Sequence, residues 1–119
     1  MNTDRLLSKI KALPDYHRVG MILCHNGVVR GTSRDGRRVT GLRVAVDRER
    51  LARVIDEHKN RPGIVDIQVE IAADADLAVG DDVMLLVVAG DIRENVIAVL
   101  TDTLNTIKST VTAKTEFFA

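Results

Sequence analysis

Residues Val83–Lys114 read VMLLVVAGDIRENVIAVLTDTLNTIKSTVTAK. The nearly unbroken apolar run ends at Gly90 and predicts a central strand buried on both faces. From Asp91 the period changes. Val96, Ile97, Leu100, Leu104 and Ile107 recur at helical spacing and form a core-facing stripe. Asp91 with Glu94 resembles a capping box, with Asp in place of Ser or Thr. Lys108 closes the helix in its last turn, and Val111–Phe117 reads as a final strand carrying Lys114. Arg93 in the first helical turn opposes the helix dipole, which favours anions there. With the free N–H groups around it, Arg93 would suit a phosphate or a carboxylate. This part of the chain is therefore expected to hold something negatively charged.

Upstream, Ile64–Ala72 alternates, with Val65, Ile67, Val69 and Ile71 on one face and Asp66, Gln68 and Glu70 on the other. Val79-Gly80-Asp81-Asp82 is a turn. Asp47 caps a helix over DRERLARVIDEHKN with a stripe of Leu51, Val54, Ile55 and His58, ended by Arg61-Pro62-Gly63. His17–Arg30 reads as extended, interrupted at Asn26-Gly27 by a bulge or tight bend. GTSRDGR is a polar hairpin loop with an Asp35-Gly36 turn signal, and Arg38–Val46 is the return strand. Thr3 or Asp4 caps a first helix through Leu13, with Leu6, Leu7 and Ile10 on one face and Pro14 as its stop. Helices mixed with hairpins predict a single α+β domain over residues 1–119 with a largely antiparallel or mixed sheet.

Composition restricts the function classes. Seventeen Lys and Arg balance seventeen Asp and Glu in 119 residues. No global field favours nucleic acid or an anionic membrane, so anion binding must be local. One Cys excludes an internal disulfide and fits a reducing compartment. Without a membrane-length apolar run or a convincing leader, a cytoplasmic location is expected. Cys24 in an apolar strand reads as a buried, inert thiol. His17, His25 and His58 lack metal-ligand spacing, so no metal is expected. No phosphate-binding glycine loop, dinucleotide fingerprint or nucleophile elbow is present.

Four cations stand out. Arg30 ends an apolar strand, where a side chain is better positioned than on a loop. Arg34, Arg37 and Arg38 read as a solvated hairpin tip. Position alone leaves Lys108 as a favourable partner of the helix dipole and Lys114 as an ordinary strand lysine. Their joint interest is that a helix and the strand after it can return Lys114 towards Lys108. Arg30, Arg93 and Lys108 are expected to converge in one positive pocket.

Two blocks carry a resemblance. The first is Gly20-Met-Ile-Leu-Cys-His-Asn-Gly27-Val-Val-Arg30, followed by a Gly-containing polar loop. The second is Gly80-Asp81, an apolar strand, Arg93 at the next helix start and Lys108 at its end. Over roughly Gly20 to Lys114 the chain resembles the large, catalytic subunit of molybdopterin synthase. The resemblance implies the α/β hammerhead fold and a sulfurtransferase of molybdenum cofactor biosynthesis. Such an enzyme moves sulfur from the C-terminal thiocarboxylate of a small β-grasp carrier protein ending in Gly-Gly. The acceptor is cyclic pyranopterin monophosphate, and the product is a dithiolene.

By the same resemblance Arg30 and Arg93 look like substrate-binding residues near the pterin phosphate. Lys108 looks like the central catalytic lysine, and Lys114 resembles the second one, one residue short of the family spacing. A homodimer joined to the carrier as a heterotetramer is implied, with no metal or redox cofactor. Four features depart from the family pattern. Ile92 replaces the usual His before the helix Arg, and His25 replaces an aromatic residue. Ser109–Ala113 lacks Pro and Trp, and the chain ends soon after Lys114. These departures keep two alternatives open: a non-catalytic carrier- or anion-binding module on the same fold, and an unrelated α+β domain.

Overall fold

The computed structural model describes all residues, Met1–Ala119. Helix α1 (Thr3–Lys11) leads through a 3₁₀ turn (Tyr16–Arg18) to β1 (Met21–Val28). Then follow β2 (Val39–Val46), α2 (Arg48–Lys59), β3 (Ile64–Ile71) and the short β4 (Leu77–Ala78). The chain closes with β5 (Asp82–Gly90), α3 (Arg93–Thr106), a π-helical turn (Ile107–Val111) and β6 (Thr112–Phe118). Every strand pair is antiparallel. The α+β class expected from the sequence is therefore the observed one.

The strands form two sheets, ordered β1-β5-β3 and β4-β2-β6. β5 is central, and Met84 to Ala89 are all buried. Its side chains alternate between two cores. Met84, Leu86 and Val88 pack with Ile67, Val54, Val96, Val99 and Ile107 beneath α2 and α3. Leu85, Val87 and Ala89 pack against Leu6 and Ile10 of α1. The continuous apolar run thus has its physical cause: helices cover both faces of this strand.

The caps follow the local chemistry. Asn2 Oδ1 accepts the N–H groups of Asp4 and Arg5, so the cap lies one residue before Thr3. Asp47 Oδ1 accepts the Arg50 N–H, as expected. The capping box at Asp91 does not form. Helix α3 starts at Arg93, and Asp91 Oδ1 instead accepts Ile92 N–H and Asn95 Nδ2. The buried stripe of α3 is Val96, Val99, Thr103 and then Ile107, while Ile97 is 48% exposed.

The expected hairpin between β1 and β2 is also corrected. The loop does turn, with Gly36 at φ +86° and a bridge between Thr32 and Arg38. The two strands then part into different sheets, β1 beside β5 and β2 beside β6. The bulge expected near Asn26-Gly27 falls between Gly27 and Val28. Cys24 is exposed on the edge strand β1 rather than buried. Partial desolvation nevertheless pushes its thiol pKa up, which keeps the less nucleophilic thiol form.

Candidate functional site

A third apolar cluster, Val29, Val39, Leu42 and Val44, joins the two sheets with help from Val46 and Ile71. Beside it lies a cavity of about 560 Å³, a size suited to a small-molecule ligand. Val39, Leu42, Val44, Ile71 and Val83 give it an apolar floor. Its charged wall is Arg30, Arg34, Lys108, Lys114 and Glu116, with His25 among them.

Each side chain arrives by a distinct local device. Past the bulge at Gly27/Val28, the chain beyond β1 is tied to the turn before β5. Val29 N–H donates to Asp81 O at 2.9 Å, and Gly80 N–H donates to Val29 O at 2.9 Å. Arg30 Nε donates to Thr32 O at 2.8 Å, which directs the guanidinium along its own loop. Lys108 sits in the π turn that continues α3, not in the last α-helical turn. Such wide turns recur at functional sites. The turn is held by Asp47 N–H, which donates to Val111 O at 2.9 Å. In β6, Thr112, Lys114 and Glu116 share one face by the two-residue strand period, and all three line the cavity. Lys114 stands opposite Val44 and Glu116 opposite Leu42, over the third cluster.

Arg30 therefore meets Lys108 and Lys114 in one cavity although it lies nearly eighty residues before the first of them in the chain. Arg93 does not join them within this chain. It starts α3, whereas Lys108 lies about 22 Å along the same helical axis, and Arg93 lines no part of the cavity. Its side chain is 77% exposed and faces Glu94 at 3.3 Å. The expected three-way convergence is thus corrected to Arg30, Lys108 and Lys114. A helix start and a helix end lie at opposite ends of a rod, which keeps Arg93 and Lys108 apart within one chain.

The sequence assigned no binding role to His25, Arg34 or Glu116. Strand alternation put Glu116 on one face with Lys114 without giving it a role, and Arg34 read as part of a solvated hairpin tip. His25 was marked only as standing where the family has an aromatic residue; its pKa is pushed down first by desolvation and then by the charge of Lys108. No cluster of three or more His, Cys, Asp or Glu side chains that could hold a metal forms in the chain. No helix is long and apolar enough to cross a membrane.

The MoaE protein family matches residues 2–110. The chain belongs to that family. MoaE is the catalytic subunit of molybdopterin synthase, which places the chain in molybdenum cofactor biosynthesis. The solved molybdopterin synthase of Staphylococcus aureus superposes with a TM-score of 0.80 at 19% identity, covering 100% of this chain and 86% of that one. Molybdopterin cofactor biosynthesis protein E of Burkholderia multivorans gives 0.78 at 18% identity, with coverages of 100% and 82%. A complex of subunits 1 and 2 of the molybdopterin-converting factor from Helicobacter pylori gives 0.71 at 18% identity, with coverages of 100% and 84%. At these identities the superpositions establish the MoaE fold. No curated protein matches the chain.

Proposed function

We propose that the cavity is where sulfur passes from the C-terminal thiocarboxylate of a small Gly-Gly-ended carrier protein to cyclic pyranopterin monophosphate. The observation that carries this reading is the meeting of Arg30, Lys108 and Lys114 around one cavity with an apolar floor. Both reactants are anionic, and the cavity offers an excess of cations to receive them. Arg30 would hold the phosphate, since a guanidinium presents several donors in a fixed plane. The apolar floor of Leu42, Val44 and Val83 would carry the flat pterin. Lys108 would stabilise the oxyanion that forms when the thiocarboxylate carbon is attacked, and would move protons there. Lys114 would support it from the neighbouring strand. Arg93, remote from this cavity in the chain, would meet substrate only through another copy in a homodimer.

The Helicobacter complex of two subunits supports a carrier partner of this kind for the present chain. The test is reconstitution from purified protein, thiocarboxylated carrier and pterin precursor, with dithiolene formation as the readout. Lys108 is exposed, so Lys108→Ala should fold normally. It should lose at least about a hundredfold in rate, the size of a missing oxyanion partner. Unchanged turnover in that variant would exclude Lys108 from the chemistry. Ile92 and the segment Ser109–Ala113 depart from the family pattern and favour a second reading, a binding module without transfer. That reading requires carrier binding by calorimetry together with no dithiolene at all.

A further inference from the structure

Three histidines occur in the chain, and two of them have internal partners. His17 Nδ1 lies 3.2 Å from Pro14 O, and His58 Nδ1 lies 2.7 Å from Val54 O. His25 has no hydrogen-bond partner on either ring nitrogen, although it is half-buried. Its ring lies along β1 over Gly27, where an added Cβ would stand 3.4 Å from Nε2. That direction is towards Arg30, at the open end of the strand.

The charged groups that line the cavity with His25 come from three elements, and α3, which also packs on β1, contributes none to it. Lys108 comes from the π turn, Lys114 and Glu116 from β6, and Arg30 and Arg34 from the loop after β1. β5 and β3 contribute only Val83, Met84 and Ile71. Four cations thus share the cavity with one carboxylate, and desolvation and the charge of Lys108 favour the neutral imidazole. A bound dianion would reverse that field. It would offset Lys108 and favour a charged imidazole that could donate a hydrogen bond to it.

We propose that His25 is a further substrate-binding residue, which takes up a proton as a divalent oxyanion enters the cavity it shares with Arg30 and Lys108. The oxyanion is the phosphate monoester class, so the inference rests on the anion-binding part of the function proposed above. It makes affinity for such groups rise as pH falls through the imidazole range, with one proton taken up per anion bound. His25 would also discriminate: a dianion drives the uptake more strongly than a monoanion of the same size.

Sulfate is the probe, because it stays divalent across the range, whereas phosphate titrates within it. Calorimetry on the whole protein should show sulfate binding about tenfold tighter near pH 5.5 than near pH 8, the effect of a shift of about one unit in one group. NMR titration of the His25 ring should show its pKa raised by sulfate. His25→Phe should remove the pH dependence, and His25→Gln should do the same if the aromatic variant folds poorly. Three results would each overturn the inference: no sulfate binding at either pH, a flat wild-type profile, or a pH dependence that survives both substitutions. None of these readouts requires sulfur transfer. A protein that passes them yet makes no dithiolene would keep this role for His25 and lose the enzyme reading.

Discussion

Gly20 opens the first sequence block, and the reason for a glycine there lies across the sheet. Its N–H donates to Gly90 O at 2.8 Å. A Cβ at this position would stand 2.1 Å from the backbone oxygen of Asp91, which cannot rotate away. Gly20→Ala should therefore destabilise the protein by about 1–3 kcal/mol, the usual penalty for overpacking. Urea denaturation measures it, and an unchanged midpoint would mean that β1 shifts freely at its start. The sequence marked Gly20 as part of a motif but not the oxygen it avoids. Lys114 was legible in the same partial way. Strand alternation put it with Thr112 and Glu116, while the opposite wall carrying Arg30 belongs to the other end of the chain.

At the scale of elements, α3 separates what periodicity can and cannot say. Its existence and length were plain, and Val96, Leu100, Leu104 and Ile107 of the expected stripe do pack in or against the core, but the stripe is centred differently. Val99 and Thr103 are inside, whereas Ile97 is out. Hydrophobicity alone cannot see that a threonine will be the buried neighbour. The start of the helix was misplaced for a related reason. The N-cap position is Ile92, without a side-chain cap, and Asp91 before it accepts the Ile92 N–H and the Asn95 amide instead. The Asn95 amide is the main cause of a lowered Asp91 pKa, with the Ile92 N–H and the charge of Arg18 also contributing. A depressed folded-state pKa stabilises the protein above the unfolded carboxylate value, and that contribution is lost as pH falls through the folded one. Asn95→Ala should therefore weaken the acid dependence of stability. Thermal melts from about pH 6 to about pH 3 should show a shallower loss than in the native protein. Parallel curves would remove Asn95 from this role.

At the scale of the molecule, two sheets set end to end produce extents of 49 × 25 × 24 Å. The radius of gyration is 15.2 Å, against about 13.5 Å for a compact chain of this length. An elongated body leaves more apolar surface uncovered. Val28 is exposed at the end of β1, Val79, Phe117 and Phe118 around the second sheet, and Ile92 and Ile97 along α3. We expect a homodimer in solution. Sedimentation equilibrium should report twice the 13.1 kDa of the chain, and a monomer at micromolar concentration would refute it. Neither sheet closes on itself, so each has edge strands, β1 and β3 in one and β4 and β6 in the other, of the kind that can pair with another chain.

The sequence by itself determined the elements: three helices with most of their apolar faces, the doubly buried strand β5, the Asp47 cap and the bulge beside Gly27. Each depends on neighbours within one or two turns, where spacing along the chain is distance in space. Only the tertiary structure decided that β1 and β2 part into different sheets, because alternation looks the same whichever strand becomes the partner. The same assignment brought His25 and Arg30 to Lys108 and Lys114 and left Arg93 outside. A helix is a rigid rod, so groups at its two ends stay apart, whereas sheet pairing can unite residues from opposite ends of the chain.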